Sequence, residues 1–579
     1  MKQITFVFYV ALTLLSLPAT AQQFVWGQSF PSHALDSPTS LEPYGDQGVV
    51  ISGNFRDTID LDNGPGMAQL IPDSGQTICS FVAMFDTAGN YVWHAGLMSR
   101  SITCSPVQID EAGYIYFSAT FRDSVTLVPA NVTLIGNCIN DILLVKFDGA
   151  GNLIWAKVIT SPGPTASSNS ATLLVKNNVS QLVVYGTFAT NIDIDPGPGS
   201  TLITPGSPKD IFLALYDTAC VLLSYRIIPS ITGTLQRSNA CIDSSDNIII
   251  TGRFQGNLDL DPGAGSLVVS NSQGNYNVFV AKYDQNADLV WGWTIGSASS
   301  DDIFALTVDE VDNIYISSRC GSAIDVDPGP GITNIGAGLM FVAMYNSNGN
   351  FVWAWNDQPV NGRETITDLC YINNSLLFGL YIDGDVNLGP FNLNSSWSTG
   401  GSGGFGAMTD NGIPTSAFCF EGVVTADTFI ASSVQYVCAG PNNELYALGE
   451  FYGEQDFNCD TNQAHVLTWS HTLNPNSPSP TDIFLLKYDF AGLITGIPQP
   501  GTTLGMYPNP ASDRLYIPGP DKITNVYFVN VLGQETRVDV HQSGSGAEVD
   551  VSALTNGWYT CIATTQEGQQ LSIPVLIAR

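Results

Sequence analysis

The stretch Ile59-Asp60-Leu61-Asp62-Asn63-Gly64-Pro65-Gly66 decides the reading of this chain, because the sequence writes it four times. It returns as Ile192-Asp193-Ile194-Asp195-Pro196-Gly197-Pro198-Gly199, as Leu258-Asp259-Leu260-Asp261-Pro262-Gly263-Ala264-Gly265, and as Ile324-Asp325-Val326-Asp327-Pro328-Gly329-Pro330-Gly331. The step from Asp193 to Asp259 equals the step from Asp259 to Asp325, and Asp60 lies two such periods before Asp193. Eroded copies at Val125-Thr126-Leu127, Asp385-Val386-Asn387-Leu388-Gly389-Pro390 and Gln455-Asp456-Phe457 bring the series to seven units. A fixed period of this length marks a repeat architecture in which each unit is one supersecondary element.

Each unit divides into four short apolar runs separated by turn residues. In the fifth, Ile303 to Val308 leads through Asp309-Glu310-Val311-Asp312-Asn313 to Ile314-Tyr315-Ile316-Ser317. Met340 to Tyr345 follows the Asp325 turn, and Asn346-Ser347-Asn348-Gly349-Asn350 then leads to Phe351-Val352-Trp353. Short β-branched and aromatic runs joined by Gly/Asn loops are hairpins, and four such strands repeated radially are a propeller blade. The expected fold is therefore all-β: a seven-bladed β-propeller over residues 22–498, a Pro-rich linker over 499–502, and a small Ig-like β-sandwich over 503–579.

The last hairpin of each unit gives the clearest echo. Asp86, Asp148, Asp217, Asp284, Asn346, Asp410 and Asp489 mark its turn, where Asp or Asn hydrogen-bonds amides two residues on. Trp93, Trp155, Trp291 and Trp353 follow at a fixed place, which reads as packing between blades rather than a sugar-stacking surface. After Asp489 the expected strand of the seventh unit is only Leu493-Ile494-Thr495, with no aromatic. At the other end of the chain, Phe24-Val25-Trp26-Gly27-Gln28-Ser29-Phe30 resembles Tyr91-Val92-Trp93-His94-Ala95-Gly96-Leu97, with Trp26 one period before Trp93. The N-terminal strand is expected to complete the seventh blade beside Phe484 to Tyr488, which removes two exposed sheet edges at once.

Met1 to Ala21 reads as a secretory signal: Lys2, an apolar run from Ile4 to Leu17, and the small-residue site Ala19-Thr20-Ala21. No later stretch reaches the ~18 apolar residues of a spanning helix. Lys+Arg 19 against Asp+Glu 52 leaves a net charge of −33, which argues against nucleic acid or an anionic lipid surface as partner. The 11 cysteines are scattered and form no C-x-x-C pair. Cys241, Cys370 and Cys438 fall at nearly the same place in three units, so they read as small buried hydrophobes rather than bridges.

The pattern Val308-Asp309…Asp312-Asn313-Ile314-Tyr315-Ile316, then Phe341-Val342-Ala343-Met344-Tyr345…Gly349-Asn350…Trp353, resembles the bacterial β-propeller repeats of large surface proteins. The final segment carries Tyr507-Pro508-Asn509-Pro510, Asn530-Val531-Leu532-Gly533 and Leu554…Gly557-Trp558-Tyr559, with the tail Pro574 to Arg579. It closely resembles the type A C-terminal sorting domain of the type IX secretion system of Bacteroidetes. That resemblance implies export through the type IX machinery by way of residues 503–579, removal of the domain, and release or attachment at the outer surface.

Catalytic signals are sparse. His33, His94, His465, His471 and His541 show no metal-ligand spacing such as H-E-x-x-H, and the chain has no G-x-S-x-G elbow. The repeated Asp pairs are the one plausible chemistry. In a strand, Asp at i and i+2 point to one face, so Asp60/Asp62, Asp193/Asp195, Asp259/Asp261 and Asp325/Asp327 could offer hard oxygens to Ca²⁺. The alternative is that they cap turns and keep outer strands from pairing with other sheets. Thr126 replaces the first Asp in the second unit without ending the repeat, which favours capping. The functional expectation is a secreted or surface-attached binding or display module for an unidentified glycan or protein. The rival is a carbohydrate-active hydrolase on the propeller's loop face, which would require a carboxylate pair in a deep central cleft.

Overall fold

The structure is a computed structural model. It describes residues 23–32, 34–163, 169–206, 209–271, 275–359, 363–395, 401–422, 431–441, 444–458, 464–468, 481–489, 514–518, 523–530, 535–543, 546–555, 557–565 and 570–577. The expected signal segment 1–21 and linker 499–502 lie outside the described residues, as do His33, His471 and the Tyr507-Pro508-Asn509-Pro510 entry. The chain divides into two compact units, Met1–Ile494 and Thr495–Arg579.

Among the described residues, beside five small sheets of two or three strands, the first unit holds seven antiparallel sheets with a core of four adjacent strands each. We number them as blades from the N-terminal side. In blade 5 the strands run Asp302–Val308, Ile314–Arg319, Met340–Tyr345 and Phe351–Asn356, in spatial order from the inside outward. The alternation that the repeat predicts is local chemistry. Asp309 Oδ1 accepts the amides of Val311 (3.0 Å) and Asn313 (2.8 Å), closing the first hairpin. In the last hairpin of blade 1, Asp86 Oδ1 does the same for Ala88 (2.9 Å) and Asn90 (2.8 Å). In blade 6 that turn position is held by Thr409, not Asp410. Thr409 bonds Ile413 through its backbone N–H (2.9 Å), as Asp86 bonds Asn90.

Adjacent blades are joined by the tryptophan of the outer strand. Trp93 Nε1 of blade 1 donates to Gly149 O in the turn of blade 2 (3.1 Å), and Trp155 Nε1 of blade 2 donates to Thr218 O of blade 3 (3.1 Å). Trp291 reaches Ser347 O (3.3 Å) and Trp353 reaches Asp410 O (2.8 Å). The accepting carbonyl always belongs to the residue after the turn Asp, Asn or Thr. Except under Trp155, where Cys220 holds the place at φ 63°, the indole also lies on the turn glycine. A Cβ on Gly151, at φ 79°, would sit 2.5 Å from Trp93, and one on Gly412, at φ 74°, would sit 2.6 Å from Trp353. Glycine is needed there twice over, for its left-handed conformation and for the ring above it. By strand register Ser416 replaces the tryptophan in blade 6, and Ser224 replaces it in blade 3. There Lys176 Nζ, from the innermost strand, donates to the equivalent carbonyl of Gln285 (2.7 Å), and the turn beneath carries Ala287 at φ 63°. The tryptophans are therefore blade-to-blade latches.

Ring closure follows the same rule. Gln23–Phe30 pairs antiparallel with Asp482–Asp489, with Phe24 opposite Tyr488 and Phe30 opposite Ile483, and so forms the outer strand of blade 7. Trp26 Nε1 donates to Thr87 O in blade 1 (3.2 Å), the carbonyl that also accepts from Lys487 Nζ (2.8 Å). Phe30 is buried in a core shared with Phe85, Tyr446 and Leu485.

In the second unit, Arg514–Pro518, Gly546–Asp550 and Val540–Ser543 form one sheet. Glu535–Val538, Ile523–Asn530, Gly557–Thr565 and Gln570–Ile577 form another. Leu515 and Val549 of the first share a core with Phe528, Cys561 and Val575 of the second.

Trp26 is only partly buried, so Trp26→Ala is expected to cost about 2–3 kcal/mol, below the ~3–5 kcal/mol of a fully enclosed aromatic. Chemical denaturation of the two proteins measures this. A change no larger than that of an ordinary surface substitution, about 0.5 kcal/mol, would show that the closing strand contributes nothing to the ring.

Candidate functional site

The acidic loops come first, since the repeat pointed to them. In each full copy the first Asp accepts two amides of its own loop through Oδ1. For Asp60 these are Asp62 (3.1 Å) and Ala68 (3.0 Å), and for Asp193 they are Asp195 (3.2 Å) and Thr201 (2.7 Å). For Asp259 they are Asp261 (3.2 Å) and Leu267 (2.8 Å), and for Asp325 they are Asp327 (3.1 Å) and Thr333 (2.8 Å). The second Asp, at 62, 195, 261 and 327, accepts the amide of the first glycine at 2.7–2.9 Å. A Cβ on the second glycine would sit 2.2 Å from Asp62 Oδ2, or 2.1 Å from Asp327 Oδ2. The Gly-x-Gly spacing is thus dictated by the carboxylate folded beneath it.

Buried tyrosines fasten these loops from below. Tyr216 OH donates to Ile194 O (2.7 Å), Tyr283 OH to Leu260 O (3.0 Å) and Tyr345 OH to Val326 O (2.9 Å). The loop then docks on the end of the preceding blade's outer strand. Asp193 N–H donates to Thr160 O (2.8 Å), Asp259 N–H donates to Pro229 O (3.1 Å), and in blade 2 Ser124–Val128 pairs with Tyr91–Ser99 of blade 1. The eight Asp residues stay in four separate loops. Among the described residues, no group of three His, Cys, Asp or Glu is placed to hold a metal ion.

As a turn cap, Asp193 should tolerate Asn, which keeps the Oδ1 acceptor, within about 0.5 kcal/mol, while Asp193→Ala should cost about 1–2 kcal/mol. Calcium on the remaining carboxylate oxygens would show itself differently. EDTA would lower the melting temperature, and Asn would cost as much as Ala.

The second candidate lies on the ring axis. All seven innermost strands line one central cavity of about 1490 Å³. Strand register places Glu42, Gln108, Leu174, Cys241, Thr307, Cys370 and Cys438 at one equivalent position, one from each blade. All seven line the cavity, together with Asp368, Tyr436, Asn239 and Thr172. The ten described cysteines are all free thiols, and burial pushes Cys241 and Cys370 up to about 12.

The carboxyls divide into two kinds. Burial works against the charged form of Asp243, yet hydrogen bonds from Lys282 (2.7 Å) and Asn247 (2.9 Å) hold its pKa below the usual range. Glu42 has no such help: burial, and then the charge of Asp368, push it up to about 8. Asp368 is pushed up to about 7 by burial, with the Val437 N–H (2.9 Å) working the other way. Among the described residues, no lysine, arginine or histidine lines the cavity.

Glu42 and Asp368 did not stand out in the sequence. The innermost strands repeat in register but not in residue type, so a lone carboxyl at a place filled elsewhere by Cys, Thr, Gln or Leu carries no motif. Counting back one period from Gln108 would have found Glu42. His465 is half-buried, its ring 4.4 Å from that of Phe24.

Comparison with known proteins adds the following. An uncharacterised WD repeat-containing protein of Acanthamoeba polyphaga mimivirus is 23% identical over 439 residues, covering 64% of this chain and 31% of that protein. The chain thus spans less than a third of that relative's length. The extracellular region of plexin A4 aligns at 9% identity and a TM-score of 0.28, over 82% of this chain and 66% of that one. An ulvan lyase bound to -[GlcA(1-4)Rha3S]- aligns at 10% identity and a TM-score of 0.31, over 79% and 99%. Neither superposes well enough to transfer a binding mode. Residues 505–576 match the family described as the Secretion system C-terminal sorting domain. The matched segment is a sorting domain of the type IX secretion system, and it marks the protein for secretion to the cell surface or beyond.

Proposed function

We propose that this exported protein is a binding module whose ligand enters the central cavity of the propeller. The observation that carries this reading is the convergence of all seven innermost strands on one cavity of about 1490 Å³, large enough for a small-molecule or oligomeric ligand. The loops of the Asp repeat spend their polar groups on their own amides and on neighbouring blades, which leaves them a structural part. The net charge of −33 turns away nucleic acid.

The rival reading, hydrolysis of a carbohydrate, is favoured by one feature. Glu42 and Asp368 occupy the same cavity, and the charge of Asp368 raises the pKa of Glu42, a pairing of the kind a general acid and base need.

One experiment addresses both readings. The purified protein and a Thr307→Trp variant, which places an indole in the cavity, are applied to glycan and protein arrays. Retention of a ligand class by the wild type and its loss in the variant is the expected result. Binding that survives the indole would move the site to the loop faces. Release of reducing ends from an arrayed glycan, abolished by Glu42→Gln, would decide for hydrolysis.

A further inference from the structure

The chemistry of the cavity wall narrows the ligand further. Among the described residues the wall carries five carboxyls, from Glu42, Glu111, Asp243, Asp246 and Asp368, and no cationic side chain. The Lys282 ammonium answers Asp243 on one side of the ring at 2.7 Å. On the other side Glu42 and Asp368, contributed by blades 1 and 6, face the same space without a cation. Among the described residues no hydrogen-bond donor or positive charge offsets the burial of Glu42 or its repulsion from Asp368.

An anion finds nothing to hold it on such a wall. A bare metal ion lacks the three converging ligands it needs among the described residues, and the space is far larger than an ion. A neutral polyol leaves the like-charge repulsion of the two carboxyls in place. An elongated molecule with several ammonium groups relieves it, and at the same time satisfies carboxyls spaced around the ring. We infer that the central cavity takes a linear organic polycation, a polyamine, with Glu42 and Asp368 as its charged contacts. This rests on the cavity being the ligand site.

Calorimetric titration of the full-length protein with spermidine tests it, alongside Glu42→Gln and Asp368→Asn. Both substitutions keep the shape of the side chain and remove a carboxyl whose ionisation burial opposes, so both variants should melt at or above the wild-type temperature. The expected result is saturable 1:1 binding at physiological salt, weakened at least about tenfold by either substitution. A cation drawn to these carboxyls also displaces protons from them, so the heat should vary with the ionisation enthalpy of the buffer. Absence of saturable binding would overturn the inference. Equal affinity in wild type and variants would also overturn it, because it would place spermidine on the acidic outer surface. An array ligand blocked by Thr307→Trp, in a protein that ignores spermidine, would keep the cavity as the site and reject only the polyamine.

Discussion

The ring depends on one recurring contact, the indole that five of the seven outer strands lay on the last turn of the next blade. A propeller has no continuous core. Each blade buries its faces only against its neighbours, so the joints carry the stability of the whole. The indole contributes apolar area to that joint and a directed N–H bond to a turn carbonyl, for example Trp353 to Asp410 at 2.8 Å. The constraint reaches back into sequence, because four of the five turns that carry an indole present a glycine at positive φ, as at Gly151 and Gly412, and the turn under Trp155 presents Cys220 at φ 63°. Where the tryptophan is absent in blade 3, a buried Lys176 takes over the carbonyl of the next blade's turn.

This explains what was legible. The period, the four strands of a blade, the turn Asp and the closing role of Phe24–Phe30 are all fixed by local or nearest-neighbour chemistry that repeats with the chain. Such chemistry leaves a residue-level echo. The Asp-x-Asp loops echo loudest because their main groups are committed: Oδ1 to amides, the glycines to the space above a carboxylate and, in three of the four, the intervening carbonyl to a tyrosine below. The cavity wall leaves no echo. Its positions are set by register alone, and Glu42, Gln108 and Cys438 share a place without sharing a residue type. The slip from Asp410 to Thr409 in blade 6 has the same origin, since either side chain can accept the turn amide and only the backbone pairing separates them.

The two kinds of acidic group have opposite meanings. The loop aspartates sit in networks of donated N–H bonds at the outer ends of the blades, where negative charge is satisfied and solvated. Glu42 and Asp368 sit on the axis, where charge is costly and burial pushes both carboxyls up toward neutrality. A fold that retains two such groups facing one space, with no cation beside them among the described residues, has kept an electrostatic cost that the blade packing does not explain. The sorting domain marks the protein that holds this cavity for secretion to the cell surface or beyond.

The cavity exists only if the ring closes, so the pairing of the two distant strands of blade 7 is the central claim. Hydrogen–deuterium exchange of the amides in Phe24–Phe30, followed beside those in Phe484–Tyr488, tests it most directly. The account predicts matched slow exchange in the two segments, because both belong to one antiparallel ladder and open together. Fast exchange of Phe24–Phe30 beside a protected Phe484–Tyr488 would contradict it.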